Sequence, residues 1–141
     1  MEKQKQQFPA EEVTLPSKGL LYPEDSPLRN GIIEMKYMTA REEDILTNVN
    51  LIENGTVIDK LLESLIISPI NFNDLLIGDK DALLVAARIL GYGEEYNFMY
   101  QGEKIEVNLS EIEDKPLDES LIVDNKNEFQ FTLPTSKKDI T

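Results

Sequence analysis

Four side chains between Asn73 and Asp81 have the oxygen chemistry of a calcium site: Asn73, Asp74, Asp79 and Asp81. An EF-hand loop needs alternating acids, a central Gly and a closing Glu about twelve residues from the first ligand. This spacing does not supply them, so helix caps and solvated helix starts are the stronger reading. Glu94-Glu95 and Glu111/Glu113 are acid pairs of the kind that protonate and attack glycosidic bonds. No aromatic-lined cleft is signalled, and solvated surface is favoured. Gly91-Tyr92-Gly93 has the glycines of a phosphate loop, but it closes a helix rather than opening one. The chain has no Cys and no His. Disulfides, thiolate metal sites, the commonest metal ligand and the commonest general base are therefore all missing. The expectation is a protein with no catalytic site, no cofactor and no metal. An enzyme using carboxylates alone is the weakest alternative.

The charge balance narrows the partners. There are 27 acids and 14 bases in 141 residues, a net charge of -13. Up to Gly93 there are 15 acids against 9 bases, and after it 12 against 5. Such a field repels phosphate backbones and anionic membranes, and it attracts basic proteins. No small-molecule substrate is indicated. The N-terminus carries no apolar leader, so the protein is expected to stay where it is made.

The elements that position these residues follow from periodicity. The central one is Asp79 to Gly93, apolar from Ala82 to Leu90 except at Arg88. That pattern predicts a core helix buried on all sides, with Asp79 capping its first turn. Thr56 to Ile67 has helical spacing of Val57, Ile58, Leu61, Leu62, Leu65 and Ile66, and Pro69 stops it. Thr39-Ala40-Arg41-Glu42 is a capping box opening a peripheral helix to about Asn48. Asn73 to Leu76 reads as one helical turn. Extended stretches are expected at Val13–Leu15, Ile32–Met38 and Glu128–Leu133. A hairpin is expected from Glu95–Tyr100 and Lys104–Leu109, turning at Gly102. Leu20-Leu21-Tyr22 is an apolar triplet in a Pro- and Gly-rich loop. It either folds onto the core or serves as a docking patch.

Three blocks carry a resemblance: T-L-P-S-K-G-L-L-Y-P (Thr14–Pro23), M-K-Y-M-T-A-R-E-E-D-I-L (Met35–Leu46) and L-L-I-G-D-K-D-A-L-L-V-A-A-R-I-L-G-Y-G (Leu75–Gly93). Together they resemble the baseplate hub assembly protein family of T-even-like contractile-tailed bacteriophages. The resemblance implies a late viral protein, an assembly chaperone that binds baseplate hub or tape-measure proteins. A structural baseplate subunit retained in the virion is the alternative. The resemblance implies further helical sequence after the Phe129 to Lys138 region, so a short relative or a truncated form is expected. Some relatives carry a Cys pair in the extended region after Gly93. Here that region has none, and no zinc site is carried over.

The resulting expectation is an α+β domain over residues 13–134, with about three helices packed on a small antiparallel sheet. That sheet would join Ile32–Met38 to the later strands. Residues 1–12 would be a disordered tail, with a first anchor at Phe8-Pro9, and residues 135–141 a flexible end. Leu20, Leu21 and Tyr22 are the candidate partner-binding residues. Arg88 is expected to form a bidentate ion pair with Glu43, Asp44, Asp59 or Glu63, unless it snorkels to the helix end.

Overall fold

The computed structural model describes residues 9–141, and the expectations for residues 1–8 lie outside these. Its first unit is an antiparallel ribbon. Strand β1 (Ala10–Thr14) pairs with β2 (Ile32–Lys36) in the register Thr14↔Ile32 to Ala10↔Lys36. β1 thus starts inside the stretch expected to be tail. Ile33 and Met35 are buried while Ile32 and Glu34 face outward, as strand alternation requires. The loop between the strands folds back on itself. Leu15 donates its N–H to the Gly31 carbonyl at 2.8 Å, and Gly19 packs against Arg29 and Gly31. A side chain at Gly19 would collide with the Arg29 backbone, and its φ of 76° also demands glycine.

Four helices follow: α1 (Ala40–Leu46), α2 (Val49–Glu53), α3 (Val57–Leu65) and α4 (Ile77–Tyr92). α1 is the expected peripheral helix, and α2 is a further one, because Asn48 caps a new start by accepting from Leu51 N–H. α3 buries Leu61, Leu62 and Leu65. Beyond it the chain turns extended, and Ile67 donates to the Glu34 carbonyl at 2.8 Å, so residues 66–68 brace β2. The core gathers Leu15, Tyr22, Leu28, Ile33, Met35, Leu61, Leu62, Leu65, Phe72, Leu75, Leu83 and Ala87.

α4 is not buried on all sides. Asp79, Leu83 and Ala87 form its buried stripe, spaced one turn apart. Ala82, Val85, Ala86 and Ile89 instead line an open groove of about 370 Å³. A domain this small has too few elements to cover every face of a central helix.

After Gly93 the chain is extended. β3 (Glu95–Tyr100) and β4 (Glu103–Asn108) form a hairpin, and β5 (Phe131–Thr132) pairs with β6 (Asp139–Ile140). The expectation of one sheet linking Ile32–Met38 to the later strands is corrected. The three ribbons are separate two-stranded sheets. β2 finds its partner in β1, the strand reached through its own folded loop, and needs none from the C-terminal half. Only Phe131–Thr132 of the expected last strand is paired, and its partner lies in the segment expected to be a flexible end. The domain is α+β, with helices and antiparallel ribbons in sequence-separate runs.

Candidate functional site

Two buried carboxylates organise the body. Asp79 is 2% exposed and does not cap α4. One oxygen accepts from Ser17 N–H at 3.1 Å. The other accepts from the Ser17 hydroxyl at 2.7 Å and from the Tyr22 hydroxyl at 2.5 Å. Tyr22 in turn accepts from Leu76 N–H at 3.1 Å. Burial, reinforced by Asp79, pushes the Tyr22 phenol up and keeps it a donor. The arrangement nails the Leu15–Pro23 loop to the start of α4. The Ser17 hydroxyl is buried and spent on Asp79, so it serves as a strut between the loop and the helix.

Glu42 is 0% exposed. It closes the expected capping box by accepting from Thr39 N–H at 2.9 Å and the Thr39 hydroxyl at 2.5 Å. Its other oxygen accepts from Lys36 Nζ at 2.7 Å and the Ser64 hydroxyl at 2.5 Å. One carboxylate thereby joins β2, α1 and α3. Burial alone would push it up. The bonds from Lys36, Ser64 and Thr39 outweigh that and hold it at about 2.

The remaining sequence candidates scatter. Asn73, Asp74 and Asp81 are exposed, and among the described residues no cluster of acids could hold a metal ion. Glu94, Glu95, Glu111 and Glu113 are all exposed. Tyr22 is core and unavailable to a partner, while Leu20 and Leu21 are half-buried beside it. The Arg29 guanidinium holds this turn by donating to the carbonyls of Leu20 and Tyr22 at 2.8 and 3.0 Å.

Arg88 makes no ion pair with Glu43, Asp44, Asp59 or Glu63. Its guanidinium runs to the C-terminal end of α4 and donates to the Gly93 carbonyl at 3.0 Å and the Glu95 carbonyl at 3.4 Å. It also lies over the rings of Tyr92 and Tyr96, 5.1 and 5.6 Å from their centroids. A cation there complements the helix dipole and stays half in water, which costs less than burial with an acid. Arg88→Ala should therefore destabilise by only about 1 kcal/mol or less. Thermal unfolding would check this, and a loss near that of a buried ion pair would contradict the end-capping geometry.

The surface that stands out is the β3–β4 hairpin. Gln101 and Gly102 have φ of 49° and 84°, the two left-handed residues of a type I′ turn. Tyr96, Phe98 and Tyr100 alternate onto one face, opposite Val107, Ile105 and Glu103. Every β3 residue is exposed, Tyr100 at 61% and Met99 at 67%. The hairpin contacts itself far more than the body. Two strands alone are marginal in water, and among the described residues this aromatic face is met only at Tyr96, by Arg88. The alternation and the turn were visible in the sequence. That no other strand covers them was not.

No family model, no curated protein and no solved structure matches this chain.

Proposed function

We propose that this chain is an assembly factor for the tail baseplate hub of a T-even-like phage, acting by protein–protein binding and without catalysis. It would work in the host cytoplasm on hub or tape-measure proteins. The observation that carries the binding reading is the uncovered aromatic hairpin in an acidic setting. From Glu94 to Asp114 there are seven acids and one base. The phage reading comes from the three sequence blocks, and their packing supports treating them as one unit. Ser17 and Tyr22 of the first meet Asp79 of the third. Lys36, Thr39 and Glu42 of the second form the other buried cluster.

Pairwise co-expression with each hub and tape-measure protein tests the proposal. One partner should co-purify, with an association rate that falls steeply as salt screens charges over about 8 Å. Co-purification with none overturns it. Mass spectrometry of purified virions should find the chain absent, and its presence would make it a retained baseplate subunit instead.

A further inference from the structure

β3 has an unpaired backbone edge. The Glu94 carbonyl accepts from Leu109 N–H at 2.8 Å, which makes 94 and 109 a hydrogen-bonded pair. With the register Tyr96↔Val107, Phe98↔Ile105 and Tyr100↔Glu103, the even-numbered β3 residues bond inward to β4. The N–H and carbonyl groups of Glu95, Asn97 and Met99 then point outward. Arg88 occupies the Glu95 carbonyl. Asn97 and Met99 keep their outward groups open, with no partner among the described residues.

Edges are usually guarded by Lys, Pro or a bulge. β3 has none of these, and its register runs without a bulge. β4 is different, because a Lys104–Glu106 ion pair at 2.6 Å sits along it. We propose that the β3 edge captures an extended, basic segment of a different protein as a third strand. This deepens the docking reading of the hairpin and rests on it. Alternate apolar side chains of that segment would cover the Tyr96–Phe98–Tyr100 row, and its Lys or Arg residues, projecting to the other face, would approach Glu95 and, across β3, Glu106. A second copy of this chain is disfavoured as the occupant, since each copy brings a net charge of -13 and the same acidic rim. Arg88 sets the inner limit, so the added strand pairs with Asn97 and Met99 and extends toward the turn.

The test uses the full chain and two acetylated peptides of about eight residues, one alternating Lys and Val, the other Glu and Val. Amide exchange followed by NMR should slow about tenfold or more at Asn97 and Met99 with the Lys–Val peptide, and not with the Glu–Val peptide. Met99→Pro should abolish this slowing at Asn97 and weaken peptide binding about tenfold or more. The Met99 N–H serves no bond to β4, so the hairpin itself should persist in its shifts. Tyr100→Ser should weaken binding through the face while leaving the edge intact. Slowing at Lys104 and Glu106 instead, equal binding of the Glu–Val peptide, or full affinity of Met99→Pro would overturn the proposal. So would self-association through β3 in sedimentation. If Met99→Pro still co-purifies fully with a hub partner, the edge inference falls and the assembly reading stands. If the Lys–Val peptide binds at β3 and no hub or tape-measure protein co-purifies, the assembly reading falls and the edge stands.

Discussion

Glu42→Ala should destabilise the fold by about 3 to 5 kcal/mol. The carboxylate is wholly buried and serves four donors: Lys36, Ser64, and the Thr39 N–H and hydroxyl. Deleting it removes the acceptor from all four and leaves a cavity where β2, α1 and α3 meet. Glu42→Gln keeps the shape but loses the charge, and should cost less. The same residue makes stability depend on pH. Its folded pKa is about 2, below its ordinary value of 4.5. The contribution is therefore full above about pH 5 and is lost as pH falls through 4.5 toward 2, an effect of roughly 3 kcal/mol. Urea unfolding at pH 7 and at pH 3 measures it. The parent should lose stability at pH 3, and Glu42→Gln should lose distinctly less. Equal losses would mean that Glu42 is not held low in the folded state.

Asp79→Ala should cost a comparable amount, about 3 to 4 kcal/mol, because it leaves the buried Ser17 N–H and the Tyr22 hydroxyl without their acceptor. Tyr22→Phe removes only the phenol link to Asp79 and Leu76, and about 1 to 2 kcal/mol is expected. The local consequence separates this from general destabilisation. Lys18 sits on the loop that Asp79 holds, exposed but flanked by buried Ser17 and Gly19. Under native conditions trypsin should cut the parent slowly at Lys18 and Asp79→Asn quickly. If both resist alike, the loop is held by Leu15 and Leu28 packing and not by the carboxylate. Both substitutions should exceed Arg88→Ala. Asp79 and Glu42 are out of water, whereas Arg88 keeps solvent on one side.

Much of what depends on neighbours within a few residues was readable in the sequence, the Asn48 cap that opens α2 excepted. The Thr39–Glu42 capping box, the α3 stripe of Leu61, Leu62 and Leu65, and the hairpin turn at Gln101-Gly102 all form as their local patterns require. These features follow from helix period, cap chemistry and turn dihedrals, which act along the chain. The tertiary structure alone decided what each charged group meets. Asp79 reads as a helix cap, yet its donors come from Ser17 and Tyr22, 62 and 57 residues away. Glu42 reads as one half of a capping box, and Ser64 completes its shell from another helix, 22 residues on. Arg88 reads as a buried ion-pair partner. The open side of α4 let it reach the helix end and the rings of Tyr92 and Tyr96, where it stays hydrated. The uncovered hairpin has the same origin. Sequence alternation shows which β3 side chains share a face, but whether another strand covers that face depends on where distant segments pack, and here β2 had already paired with β1.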